Sequence, residues 1–260
     1  MSLFQHEKKV CEKRSGDLVL QVIDRGENRE LRFGNYITQS AASRRTPDLL
    51  ALDYTRAMMA GFLFCPDAGS VLHIGLGAGS MPRFIHRFFP DVQQTVVELY
   101  PEVTEVAFRF FGLPVSPRLR VVQADGAAYF QQSSERFDLI FLDAFHADGV
   151  AGHLETKTYF HAVSSHLEDR GWVVNNVWGS DRENLRRVAY NQSVVFPRLL
   201  SLSVRAYSNV IFFAGNAPHD PTPEQLRARA ELLGARVPLD FGRYAVQVRT
   251  RAELSGELHP

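Results

Sequence analysis

Between residues 71 and 177 short apolar segments alternate with segments of helical length, and this alternation constrains the fold more than any other feature of the chain. Residues 71–74, 95–97, 119–122, 137–142 and 172–177 read as strands, and 81–89, 101–111, 127–132 and 156–167 as the helices between them. Strands that are apolar on both faces and separated by helices form a parallel sheet covered on both sides. The expected class is therefore α/β, with a Rossmann-like doubly wound, mostly parallel sheet. Upstream, 18–23 and 31–33 flank the turn-like Asp24-Arg25-Gly26-Glu27-Asn28 and read as a β-hairpin. Leu50, Tyr54, Met58 and Phe62 recur every four positions, which predicts one amphipathic helix over 47–64. Downstream, 183–196 reads as a helix, 200–204 and 209–213 as a closing hairpin, and 223–233 as a helix. These segments divide the chain into a small N-terminal β region, residues 1–45, and a Rossmann-like domain, residues 46–260.

The first strand of the alternation, Val71-Leu72-His73-Ile74, runs straight into Gly75-Leu76-Gly77-Ala78-Gly79-Ser80 and the next helix. Open α/β sheets bind ligands beyond the carboxyl ends of their strands, where a loop without Cβ atoms lets a ligand reach the backbone. The Gly-x-Gly-x-Gly spacing departs from the G-x-G-x-x-G of dinucleotide enzymes, and no G-x-x-x-x-G-K phosphate loop is present. The second strand ends in Glu98, a carboxylate placed to accept hydrogen bonds from two ribose hydroxyls. Asp125-Gly126 follows the third strand, where an adenine ring would sit, and Asp143 ends the fourth. Each acid alone reads equally well as a helix N-cap or a solvated loop acid. Together, at the ends of three successive strands, they surround a ligand with negative charge, which suits a sulfonium and not a pyrophosphate. Gly75, Gly77, Gly79, Glu98, Asp125 and Gly126 are thus the candidate site for an S-adenosylmethionine-type nucleoside. The sheet is expected to be of the class I S-adenosylmethionine-dependent methyltransferase-like kind.

Composition narrows the partners. Lys plus Arg equals Asp plus Glu at 29 each, so no global field favours nucleic acid or anionic lipid. No stretch has the eighteen or so consecutive apolar residues of a membrane span. Cys11 and Cys65 are too few for a disulfide scaffold, and the charged N-terminal segment lacks an apolar signal stretch, so a cytoplasmic location is expected. His153, His161 and His166 are too irregularly spaced for a zinc motif, and no metal is expected.

Four stretches, His73-Ile74-Gly75-Leu76-Gly77-Ala78-Gly79, Val97-Glu98, Gln123-Ala124-Asp125-Gly126 and Phe137-Asp138-Leu139-Ile140-Phe141-Leu142-Asp143, carry a resemblance. On them the chain resembles the spermidine synthase (polyamine aminopropyltransferase) family, from about Leu31 to Gly215. The resemblance implies a small N-terminal β domain through which subunits pair, and hence a homodimer. It implies decarboxylated S-adenosylmethionine as donor and a small amine, such as a diamine, as acceptor. It gives Glu98 the ribose, Asp125 with Gly126 the adenine, and Asp143 the incoming amine; Tyr54 and Gln39 match residues of the acceptor side. An alkyl ammonium, with a pKa of roughly 10.4, must lose a proton before its nitrogen can attack carbon, and a carboxylate at Asp143 can take it. Two positions depart from the family. Its Gly-Gly-Gly-Asp-Gly loop uses the aspartate on the donor amine where this chain has Ala78, and its second acceptor-side aspartate is here His146. His146, with an unperturbed pKa of about 6.5, is a candidate second base. Residues 144–156, with Gly149 and Gly152, correspond to a mobile cover over the acceptor pocket. Asn175-Asn176-Val177-Trp178 reads as a strand end, its polar pair capping and its indole packed on the sheet. The leading expectation is a spermidine synthase-like transferase; the alternatives are methyl transfer from undecarboxylated S-adenosylmethionine and an inactive nucleoside-binding regulator or scaffold.

Overall fold

The structure is a computed structural model and describes residues 7–16, 18–34, 37–146, 149–150, 152–205 and 209–250. The chain begins with an antiparallel sheet of β1 (Glu7–Ser15), β2 (Leu18–Arg25), β3 (Asn28–Phe33) and β4 (Ile37–Ser43), in that order. The apolar pattern predicts only the β2–β3 hairpin. β1 is crowded with charges and β4 with small and polar residues, and ion pairs make them compatible with a sheet. Arg32 and Glu30 are both buried and hydrogen-bonded to each other at 2.7 Å, and Arg32 reaches Glu7 on β1 at 2.8 Å. Burial alone would raise the Glu30 carboxyl, but hydrogen bonds from Arg32, Thr38 and Arg25 bring the net shift downward.

The helix expected over 47–64 is two short pieces, α1 (Asp53–Met58) and α2 (Gly61–Phe64). Leu50 forms an isolated bridge to Ala42, and residues 44–49 before it are bends and turns, so no helix starts at Pro47. Between the pieces the backbone bonds tighten to i→i−3, from Ala60 to Ala57, Phe62 to Met59 and Leu63 to Ala60. The four-residue apolar period survives this change, so it does not reveal the break.

The remaining elements are β5 (Ser70–Ile74), α3 (Ser80–Phe88), β6 (Gln93–Glu98), α4 (Pro101–Phe111), β7 (Leu119–Gln123), α5 (Gly126–Gln132), β8 (Phe137–Leu142), the small hairpin β9 (Phe145–His146) and β10 (Gly149–Val150), and a 3₁₀ turn at Gly152–Glu155. They continue with α6 (Lys157–Ser165), β11 (Leu167–Trp178), α7 (Arg182–Val195), β12 (Arg198–Val204), β13 (Asn209–Gly215), α8 (Pro223–Gly234), α9 (Phe241–Ala245) and β14 (Arg249–Thr250). Eight strands form one sheet in the order β14-β12-β13-β11-β8-β5-β6-β7. β7, β6, β5, β8 and β11 are parallel, whereas β13 is antiparallel to both its neighbours. The mostly parallel, doubly wound sheet expected from the alternation is therefore present, and the closing hairpin inserts β13 between β11 and β12.

Capping residues stop and start the helices as their chemistry requires. Asp125, Thr156, Asp181 and Thr222 accept backbone N–H bonds at the starts of α5 to α8, while Pro101 opens α4 and a left-handed Gly112 closes it. Phe62, Phe84, Phe141, Phe213 and Phe241 fill the core on one face of the sheet, and Ile140, Phe160, Val188 and Phe212 that on the other. A third cluster joins Leu20 and Leu31 of the N-terminal sheet to Val103 and Val106 of α4. No helix among the described residues is long and apolar enough to cross a membrane.

α2 lies so close to the sheet that a Cβ on Gly61 would fall 2.6 Å from Cγ2 of Val174. Gly61→Ala is expected to destabilise the protein by about 1–3 kcal/mol, as overpacking does. Urea unfolding should show a lower midpoint at unchanged slope, and an unmoved midpoint would contradict this packing.

Candidate active site

β6 and β7 lie on one side of β5, and β8 and β11 on the other, so the chain reverses its direction of travel across the sheet between β5 and β8. Connections diverge at such a point and leave a crevice beyond the strand ends. Here the crevice is a cleft lined by the loop after β5, by the ends of β6 and β8 and by residues of β4 and α1.

Its floor is the loop after β5. Gly75 and Gly77 have φ of +97° and +53°, a region that side chains strongly disfavour. A Cβ on Gly75 would run into the carbonyl oxygen of Asp143, and one on Gly77 would sit 3.5 Å from the Ser40 Cβ of β4. Gly79 differs from both. At φ +68° it precedes α3, and a Cβ there would meet Leu113 Cδ1 at 2.7 Å, so it packs behind the loop and does not line the cleft. Ala78 is also behind the loop. It is fully buried in the cluster shared with α4, and its carbonyl oxygen accepts from Arg83 Nη1 at 3.2 Å.

Glu98 closes one end of the cleft. Its Oε2 accepts from the Leu76 amide at 3.0 Å and its Oε1 from the Tyr100 amide at 2.9 Å. Burial pushes this carboxyl up, against the pull of backbone N–H groups that include those of Leu76 and Gly77. Each carboxylate oxygen can accept more than one hydrogen bond, so these contacts are compatible with further donors from a ligand. Asp125 and Gly126 line the cleft beyond Glu98. Asp125 Oδ1 caps α5, accepting from Ala127 and Ala128 at 2.9 and 3.0 Å, and a Cβ on Gly126 would lie 2.7 Å from Ile74 Cγ2.

Asp143 stands at the other end, past β8. Its Oδ1 accepts from Asn176 Nδ2 at 2.9 Å, and the Tyr54 hydroxyl of α1 faces two acceptors, the Asp143 carboxylate and the Gln39 carbonyl oxygen at 3.2 Å. Burial pushes the Asp143 carboxyl up to about 6, opposed by the hydrogen bonds from Asn176 and Tyr54. Burial, and then the charge of Asp143, push the Tyr54 phenol well above its ordinary value. Tyr54 and Gln39 line the cleft and also a second cavity beside it, whose other walls include Thr38, Asn176, Trp178 and Asn209.

The structure thus brings Gln39, Tyr54, Gly75, Gly77, Glu98, Asp125, Gly126 and Asp143 to one cleft. His146 lies on β9, and its side chain is outside what is described. Of the expected cover, residues 147, 148 and 151 lie outside the described residues; Leu154 lines the cleft, and the Glu155 carbonyl oxygen accepts from Asn191 Nδ2 at 2.8 Å. Asn176 does more than cap a strand, since its amide grips Asp143. The signal for it was a polar residue ending an otherwise apolar strand, because a buried amide needs a partner. Among the described residues no group of three or more His, Cys, Asp or Glu is placed to hold a metal ion.

A mostly parallel sheet with a glycine loop at its switch point, and acids at the ends of β6, β7 and β8, defines an α/β protein of the class I methyltransferase-like kind. The family model for the spermine/spermidine synthase domain matches residues 53–213, and the chain belongs to this family. It is 32% identical over 234 residues to the polyamine aminopropyltransferase of Neisseria meningitidis serogroup A, covering 88% of this chain and 89% of that one. A spermidine synthase in complex with the transition state analogue AdoDATO superposes at a TM-score of 0.77 with 17% identity, over 96% of this chain and 88% of that one. Human methyltransferase-like protein 13 in complex with SAH superposes at a TM-score of 0.67 with 25% identity, over 72% of this chain and 92% of that one.

A carboxyl raised from 3.8 to about 6 binds its proton more tightly in the folded state than in the unfolded one. Its contribution to stability is present at low pH and is lost as pH rises through this interval. Asp143→Asn removes the buried charge, so the variant should be more stable than the parent by about 1–3 kcal/mol at pH ~8, with no advantage at pH ~4. Thermal melts at the two pH values measure this, and equal melting temperatures at the higher pH would refute it.

Proposed function

We propose that the chain is an aminopropyltransferase, moving the aminopropyl group of decarboxylated S-adenosylmethionine to a small amine. The observation that carries this reading is a half-buried carboxylate with a raised pKa, Asp143, at the acceptor end of a glycine-loop cleft whose far end holds Glu98. Membership of the spermine/spermidine synthase family supports it and places aminopropyl transfer ahead of methyl transfer and of an inactive scaffold.

In this reading Gly75 and Gly77 admit the nucleoside to the loop backbone, Glu98 accepts from the ribose hydroxyls, and Asp125 with Gly126 borders the adenine. The acceptor amine approaches Asp143 past Tyr54 and Gln39, its chain lying toward the second cavity. The ammonium passes its proton to Asp143, and the freed lone pair bonds to the methylene carbon attached to sulfur. The electron pair of the carbon–sulfur bond withdraws onto sulfur, so the sulfonium leaves as neutral methylthioadenosine. A carboxyl with a pKa near 6 is ionised at neutral pH and still basic enough to assist this transfer. His146, three residues on, is retained as a second proton acceptor. The division into an N-terminal β region, residues 1–45, and a catalytic domain, residues 46–260, is part of the proposal, as are pairing of two subunits through the N-terminal sheet and a cytoplasmic location. The end of β4 at Ser43 supports the boundary.

The test is turnover with decarboxylated S-adenosylmethionine and a panel of amines, reading methylthioadenosine. Formation of S-adenosylhomocysteine from S-adenosylmethionine instead would replace this reading by methyl transfer. Asp143→Asn should lower kcat by about 10²–10⁴-fold, the usual contribution of a positioned base, while nucleoside affinity changes by a few-fold at most. Glu98→Gln should weaken methylthioadenosine binding by about 1–3 kcal/mol in calorimetry, and unaltered affinity would place the ribose elsewhere.

A further inference from the structure

Behind Asp143 three neighbouring strands each contribute one polar side chain to a single line of hydrogen bonds. Asp143 follows β8, Asn176 is on β11 and Asn209 is the first residue of β13. Asn176 Nδ2 donates to Asp143 Oδ1 at 2.9 Å, and Asn209 Nδ2 donates to Asn176 Oδ1 at 2.8 Å. Both asparagines are buried, at 7% and 6% exposure.

An amide has one donor end and one acceptor end, and the two contacts of Asn176 demand the same orientation of it. Turned over, Asn176 would point its oxygen at the Asp143 carboxylate and its NH₂ at that of Asn209, losing both bonds and gaining two repulsions. Without Asn209, the turned state loses one of those penalties.

We propose that Asn209 is a positioning residue that acts through Asn176, locking its amide so that the Asp143 carboxylate is held in the orientation in which it receives the acceptor's proton. Asn176 grips Asp143 directly, and Asn209 never touches the carboxylate. The inference rests on the reading of Asp143 as the base. Among the described residues Tyr54, from α1, is the titratable group that bonds to Asp143, and it is common to every variant below.

The experiment follows the Asp143 carboxyl by ¹³C NMR titration, with kcat against pH measured in parallel. In Asn209→Ala the Asp143 titration and the acidic limb of the kcat profile should both move up by about half a unit, because the ionised form loses hydrogen-bond support. At neutral pH kcat should fall about fivefold, with methylthioadenosine affinity within twofold of the parent. Asn176→Ala should shift the titration further in the same direction, and the double variant should titrate as Asn176→Ala alone, since Asn209 works only through Asn176. An unmoved titration in Asn209→Ala, or additive shifts in the double variant, would overturn the proposal. If Asn209→Ala does not melt cooperatively, Asn209→Ser is read by the same criteria. Absence of turnover in the parent with every amine overturns the aminopropyl reading alone, and the NMR titration then decides the relay by itself.

Discussion

No side chain fits between Gly75 and the backbone of Asp143, and the cleft exists because of that contact. The Asp143 amide donates to the Ile74 carbonyl at 3.0 Å and the Gly75 amide to that of Val97 at 2.9 Å, so sheet bonding continues past the ends of β5 and β8 before the chains part. α3 and α4 then cover one face of the sheet, and α5 and α6 the other. The space opened between these connections is lined by backbone on the glycine side and by carboxylates on the other. A residue with a Cβ at position 75 would push β5 and β8 apart and move Asp143 with them.

The fold buries carboxylates in two ways, and the contrast marks the site. Glu30 is buried among arginines, and its pKa falls. Glu98 is buried and Asp143 half-buried, with amides and a phenol as their partners, and desolvation carries both upward. A structural acid is stabilised by a permanent cation, whereas among the described residues these two have neutral donors as their partners. A sulfonium near Asp143 would offset part of that desolvation, which gives a cationic ligand an electrostatic advantage before any shape fit is counted. The stability given up at Asp143 is the kind of deficit that functional sites carry.

Much of the fold, and the set of residues that line the glycine-loop side of the cleft, could be read from the sequence, for identifiable reasons. Buried parallel strands are apolar throughout, so residues 137–142 emerge with their observed bounds, and helix 101–111 does so because Pro101 opens it and Gly112 closes it. Glu98, Asp125 and Asp143 were legible because they end such strands, where a charge stands out. β1 escaped notice because its charges are neutralised by residues distant in sequence, as Arg32 does for Glu7. The break between α1 and α2 escaped because the 3₁₀ bonds leave the apolar spacing intact. The sequence presents Ala78 as an acid missing from the site; in the structure its side chain packs behind the loop against the α4 cluster. Asn209 was invisible because its importance comes entirely from strand order, which no local pattern encodes.

That strand order has a chemical consequence. In a sheet whose strands all ran one way, every residue beside the ligand would come from a strand's carboxyl end, and each would be followed at once by a connecting loop. β13 runs the other way, so its first residue stands at the ligand edge with six strand residues behind it. Asn209 is therefore anchored by the register that pairs it with Trp178 on β11 and Val204 on β12. Asn176 lies between that anchor and Asp143. Asp143 is consequently held from within the sheet, and the mouth of the cleft is left open. A carboxylate positioned only by loop residues would lose its orientation whenever those loops moved; one held through β11 and β13 keeps it.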